Sequence, residues 1–198
     1  RLECRIVLLK GKNARDQRKL IIFADESGLS ERPSIRSTWG RRGETPVVVH
    51  SHRWAKRSMM AGLIYHWSGK PSKLTFEIIE KAYRLPDILR WCRRLVRVLA
   101  GAKAILIWDR LQAHRSKVVK TFLAAHGVEV ELLPGYAPQL NPTEWLWANL
   151  KGCELANFWA EDITDAETEA RRGARRIRRR LTLLAGFLTG AGLSFGSI

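Results

Sequence analysis

Two short stretches of this chain are apolar at every position, and each stops at an aspartate. Leu20-Ile21-Ile22-Phe23-Ala24 runs into Asp25, and Ala104-Ile105-Leu106-Ile107-Trp108 runs into Asp109. A strand with one face in water alternates apolar and polar residues, because successive side chains point to opposite faces of the sheet. Short runs without that alternation read as strands buried on both faces, which requires helices on each side of the sheet. Where such a strand ends the chain leaves the core, and here each strand delivers a carboxylate. A third acid, Glu144, follows a proline-rich turn, with 34 residues between it and Asp109. The three acids are candidates for one shared site.

The remaining pattern is that of an α/β chain. Strands are predicted at 20–24, 45–50, 58–65 and, shorter, at 73–79, so strands dominate the first third. Pro86 suits a first helical position. Ile88, Trp91, Cys92, Leu95, Val98 and Leu99 then recur at helical spacing up to Ala100, with Gly101 as the stop. Ser116 to Ala125 reads as a helix stopped by Gly127, residues 128–133 as a strand, and Asn141-Pro142 as the start of a helix carrying Glu144. With 198 residues, 45% apolar content and no low-complexity linker, one domain around one substantial core is expected.

The formal charge of +16, with a pI near 10.6, points to a polyanionic partner, nucleic acid first. No apolar run approaches the roughly 20 residues that span a bilayer, and no signal-peptide arrangement opens the chain. No membrane partner and a cytoplasmic location are therefore expected. Cys4, Cys92 and Cys153 are widely spaced and odd in number, which fits reduced thiols better than a zinc site or a disulfide framework. Near the end, Ala170, Ala174, Ile177, Leu181 and Leu184 recur at helical spacing while seven arginines within Arg171–Arg180 take the other faces. This is a basic amphipathic helix, fit either for phosphate contact or for a solvated outer face.

Four motifs in order carry a family resemblance. They are Phe23-Ala24-Asp25-Glu26-Ser27-Gly28, then Thr38 through Pro46 (TWGRRGETP), then Trp108-Asp109 with His114 five residues on, then Leu133-Pro134 through Lys151. Their order and the 34-residue gap resemble the DDE transposases of the mariner superfamily, specifically the bacterial insertion sequence 630 group. The resemblance runs from about Lys12 to Gly192-Leu193. It divides the chain into a poorly matched segment 1–11 and a catalytic domain 12–198 with a basic C-terminal helix. It implies a ribonuclease-H-like mixed sheet flanked by helices, in which the first and fourth main strands are neighbours. It further implies metal-dependent DNA cleavage and strand transfer, with Asp25, Asp109 and Glu144 as catalytic residues and as ligands of two Mg²⁺ or Mn²⁺ ions. Double-stranded DNA, at the element ends and at a TA target, is the implied partner, and a homodimer on paired ends the implied assembly. Arg110 departs from the family's usual asparagine and Gly135 from a common proline. The first sets a cation next to the proposed metal site, which makes an inactive, DNA-binding remnant the alternative reading.

Each acid also has an ordinary structural use. Asp109 is a plausible turn residue after its strand. Glu144 is third in a helix that Asn141 caps, where a carboxylate can close a capping box. Glu26 competes with Asp25, but alternation along the strand sends the two to opposite faces, and Asp25 is preferred. His114 reads as a structural hydrogen-bonding residue. Trp39, Arg41 and Arg42, in a glycine-flanked loop, suit a nucleotide base and its phosphates, or a hairpin pinned by the indole. Arg171, Arg172, Arg175, Arg176 and Arg179 are the tail's candidates for DNA contact.

Overall fold

The computed structural model describes residues 14, 16–32, 34–44, 47, 54–68, 70–135 and 137–194. Five strands form one mixed sheet in the order β3-β2-β1-β4-β5: β1 (Leu20–Ser30), β2 (Lys56–Tyr65), β3 (Pro71–Ile79), β4 (Ala104–Trp108) and β5 (Val128–Leu132). The first three form an antiparallel meander, whereas β4 joins β1 and β5 joins β4 in parallel. Parallel neighbours need crossovers, and α1 (Leu85–Leu99) and α2 (Lys117–Ala125) supply them. The expected strand at 45–50 lies outside the described residues apart from Val47.

Both apolar runs are buried on both faces, as their lack of alternation requires. Ile21, Phe23, Ile105 and Ile107 face one core layer, and Ile22, Ala24, Leu106 and Trp108 the other. The second layer is closed by α1 and α2, with Trp91 laid against Gly62 of β2. A Cβ on Gly62 would stand 3.0 Å from that indole and 2.8 Å from the Thr75 hydroxyl, so the close approach requires glycine. The first layer is closed by α3 (Pro142–Asn149), α4 (Ile163–Arg178) and α5 (Leu181–Gly190), with α3 running on into a π-helical turn at Leu150–Glu154. At about 1.5–3 kcal/mol per large apolar side chain removed from water, these layers fix the strand register firmly.

Two expectations change. Strand β1 does not end at Ala24, because pairing with β2 continues from Asp25↔Ala61 to Ser30↔Lys56. On its other side the pairing with β4 stops at Phe23↔Ile107. A notch therefore opens beside Asp25 where β4 ends, and Asp109 is the next residue after β4. The basic tail is also two helices rather than one, broken at Arg179-Arg180. Leu181 is 54% exposed and so leaves the buried stripe, while Leu184, Phe187 and Leu188 pack into the core. The Tyr65 hydroxyl donates to the Leu184 carbonyl at 2.9 Å, and Gly190 lies directly against Trp145. The break turns α5 back onto α3 and directs the arginine-rich end of α4 outward.

Candidate active site

Asp25 points to the α3 side of the sheet, where the Trp147 indole Nε1 donates to its Oδ2 at 2.9 Å. Burial first, then the charges of Glu144, Glu26 and Asp109, push its carboxyl up to about 7 against the opposing Trp147 hydrogen bond. Asp109 stands beside it at the end of β4. Its Oδ1 accepts from the Leu111 amide at 3.0 Å and from His114 Nδ1 at 2.6 Å, which leaves Oδ2 facing outward from both bonds. His114 is fully buried and stacked flat on Trp108, with ring centroids 3.9 Å apart and planes 9° from parallel. Its Nε2 lies 3.0 Å from Glu26 Oε1. Two carboxylates on two ring nitrogens require both nitrogens to donate, so the ring is an imidazolium. Burial lowers its pKa, but the bonds and charges of Asp109 and Glu26 outweigh burial and push it up to about 9. Burial likewise pushes Asp109 up, and the His114 and Leu111 hydrogen bonds reverse this and hold it below the usual carboxylate range.

Glu144 is placed by the start of α3, and that start is sewn to β1. The Asn141 side chain accepts from the Thr143 amide at 3.2 Å and donates to the Ala24 carbonyl at 3.3 Å, while the Thr143 hydroxyl donates to the Phe23 carbonyl at 3.1 Å. Both side chains are buried. The Asn141 amide already donates to the Pro138 carbonyl at 2.8 Å, so no capping box forms and Glu144 is not consumed as a cap. Among the described residues the Glu144 carboxylate makes no hydrogen bond or ion pair; its charge is felt by Asp25 and by Lys151. Lys151 lies two helical turns beyond Glu144, and its Nζ donates to Ser27 Oγ at 2.7 Å. Burial, first, holds its pKa below the ordinary lysine value.

The sequence matches the family model described as DDE superfamily endonuclease over residues 20–163, about three quarters of the chain, and that span contains every residue just described. The chain belongs to this family. No curated protein matches it in sequence. Its fold is similar to that of Mos1 mariner transposase in a pre-cleavage transpososome, with TM-score 0.60 and 16% identity over 93% of this chain. The Mos1 strand transfer complex gives TM-score 0.56 and 18% identity, and the Mos1 catalytic domain with raltegravir and Mg gives 0.54 and 17%. This chain covers 60% of the first of these Mos1 chains and 92% of the isolated catalytic domain. The mixed five-stranded sheet flanked by helices is thus the ribonuclease-H-like fold of that domain.

Within this family member Asp25, on β1, feels the charges of Glu144, on α3, and of Asp109, the residue after β4. Among the described residues no three His, Cys, Asp or Glu side chains stand close enough together to hold a metal ion. The donor set nevertheless fits a hard divalent ion. The acids offer oxygen only, and Asp25 is raised by burial first and then by its acidic neighbours. A cation beside Asp25 would relieve that repulsion. Arg110 does not compete for the place: its Nε donates to the Leu133 carbonyl at 2.8 Å, which ties the guanidinium to the end of β5. Replacing Arg110 by asparagine should therefore move the half-saturating Mg²⁺ concentration for cleavage by less than about twofold. A clear sharpening of the titration in that variant would mean that the guanidinium does reach the acids.

The proposed DNA contacts divide by environment. Trp39 is wholly exposed, with Arg41 and Arg42 exposed beside it. The base of their loop is held where the Arg36 amide donates to Asn157 Oδ1 at 2.8 Å and the Asn157 amide to the Ser34 carbonyl at 2.9 Å. In α4, Arg171 pairs with Glu167, Arg172 with Glu169, and Arg176 with both Glu154 and Glu169. Arg175 and Arg179 are exposed and make no ion pair among the described residues. Sequence reasoning did not single out Trp147 or Lys151 as neighbours of these acids, and it read His114 as a structural hydrogen-bonding residue, which its bonds to Asp109 and Glu26 bear out. Lys151 was legible from its seven-residue offset to Glu144, which returns to the same helix face. The His114 bridge needs β1 and β4 side by side, which sequence alone does not place.

Proposed function

We propose that this chain is a transposase catalytic domain that cleaves the DNA ends of a mobile element and joins the new 3′ hydroxyls to target DNA. The observation that carries this reading is the arrangement around the notch: two carboxylates on adjacent strands and a third on a helix sewn to β1. Asp25, Asp109 and Glu144 would hold two Mg²⁺ or Mn²⁺ ions. When bound, such ions supply Lewis acidity toward the phosphodiester and lower the pKa of attacking water. The chain's own residues set the geometry. Trp147 fixes Asp25 through Oδ2, and His114 and Leu111 fix Asp109 through Oδ1. Glu144, held by no other group, is free to adjust to the ligands it meets. The Lys151 ammonium, already bound to Ser27, is placed to offset negative charge on a phosphate entering the notch.

Double-stranded DNA is the partner in this reading, and a homodimer on paired ends and a cytoplasmic location go with it; no described helix is long and apolar enough to cross a membrane. The insertion sequence 630 branch, and the catalytic domain's extent over 12–198, rest on the motif match. The inactive-remnant alternative loses its motive, because Arg110 is tied to Leu133. The test is incubation with Mg²⁺ and duplex oligonucleotides ending in the element's terminal repeats. Specific 3′-end cleavage followed by covalent joining to a second duplex is expected. Cleavage without joining would leave a nuclease, and neither reaction would end the proposal.

The tail arginines separate in this assay. Replacing Arg175 and Arg179 by glutamine should weaken duplex binding and make the slope of log K against log salt shallower by roughly 0.9 per lost phosphate contact. Replacing Arg176 should instead lower thermal stability slightly, since it leaves Glu154 unpaired and Glu169 with Arg172 alone. An unchanged salt slope in the Arg175/Arg179 variant assigns those two to a solvated face.

A further inference from the structure

Among the described residues β3 is the outermost strand on its side of the sheet, and a groove of about 920 Å³ runs along it between α1 and α4. The two rims are cationic. Arg90, Arg94 and Arg97 stand on α1 at spacings that share one helix face, Arg171 and Arg178 stand two turns apart on α4, and Lys73 closes one end. Arg90, Arg94 and Arg171 are paired with Asp87, Glu77 and Glu167. Arg97 and Arg178 are exposed and make no ion pair among the described residues, and Lys73 donates to the Val98 carbonyl at 3.0 Å. Leu74, Ile78 and Leu95 line its floor together with Thr75 and the Arg94-paired Glu77.

We infer that this groove binds an acidic polypeptide segment in extended conformation, added to β3 as a sixth strand. An edge strand presents unpaired backbone N–H and C=O groups, and a chain laid about 4.8 Å away would occupy the trench between the helices. Successive side chains of an added strand point alternately toward α1 and toward α4, because those helices cover opposite faces of the sheet. Each direction ends on an unpaired arginine, Arg97 on one side and Arg178 on the other. A second copy of this chain is disfavoured as occupant, since pairing β3 with β3 brings two cationic grooves together. A nucleic-acid strand fits less well. Trp91, the indole in its lining, is only 2% exposed and offers no face for base stacking.

The test uses the 198-residue chain and three labelled ten-residue peptides: alternating Thr-Glu, alternating Thr-Lys, and alternating Pro-Glu, which keeps the charge but cannot pair along a strand. The Thr-Glu peptide should bind at least tenfold more tightly than either control and should slow amide hydrogen exchange in Pro71–Ile79. Arg97→Glu with Arg178→Glu should weaken it at least tenfold, and the milder Arg97→Gln with Arg178→Gln should weaken it in the same direction should the reversal disturb folding. Equal binding of the Pro-Glu peptide would overturn the inference, as would exchange protection confined to other strands. Displacement of the Thr-Glu peptide by a single-stranded hexanucleotide whose own binding falls with the same substitutions would overturn it in favour of nucleic acid.

Discussion

Asp25→Asn, Asp109→Asn and Glu144→Gln should each lower the DNA cleavage rate by at least about a thousandfold, roughly 4 kcal/mol of lost transition-state stabilisation. Their effects on stability should differ, and that difference separates a shared site from three unrelated acids. Asp25 has a folded pKa of about 7 against 3.8 for an ordinary aspartate. A carboxyl raised on folding favours the native state fully below pH 3.8 and loses that contribution as pH rises toward 7. At pH 8 without divalent ions it is a buried charge among carboxylates, and Asp25→Asn removes it. The variant should therefore melt higher than wild type at pH 8 in chelator, and Mg²⁺ should raise the wild-type midpoint but not the variant's. Glu144→Gln should leave the midpoint nearly unchanged, because the Glu144 carboxylate makes no hydrogen bond or ion pair among the described residues and its backbone bond to the Asn141 carbonyl is kept. A midpoint for Asp25→Asn that falls, or cleavage surviving any one of the three changes, would remove the assignment.

The sheet's centre was legible because its cause is local. Five apolar residues in a row have no solvated face to offer, so strands at 20–24 and 104–108 follow from hydration alone, and the aspartates mark where each leaves the core. Glu144 was legible for the opposite reason, since Asn141 and Pro142 fix a helix start by backbone chemistry. What the sequence concealed is made by contacts between distant segments. The continuation of β1 to Ser30 depends on pairing with β2, and the turn of α5 depends on a place for Leu184, Phe187 and Leu188 beside α3. Asn141 looks like a simple cap until its amide is seen on the Ala24 carbonyl, 117 positions away. His114 lies 88 positions from Glu26, and local reading could supply only its Asp109 side.

His114 should matter more than a lone histidine in a turn suggests. It is fully buried, and removing it leaves Glu26 and Asp109 without the cation they share. Because Asp109 is 41% exposed, the loss is well below that of a fully buried ion pair, about 1–3 kcal/mol, which lowers the melting midpoint by roughly 2–12 °C in a domain of this size. His114→Phe is the informative change, because it keeps a ring against Trp108 while deleting both donors. Freed from His114, Asp109 Oδ1 would keep only the Leu111 amide, so the half-saturating Mg²⁺ concentration for cleavage should rise about 10- to 100-fold, as for partners that orient metal ligands. The pH dependence gives an independent check. The ring's folded pKa is about 9 against 6.5 for an ordinary histidine. A base raised on folding stabilises fully below pH 6.5 and loses that contribution as pH climbs through 9. In chelator, the wild-type midpoint should fall between pH 6.5 and pH 9, and His114→Phe should lack that fall while starting lower. Parallel curves for the two proteins across that window would mean that His114 is not the cation joining β1 to β4.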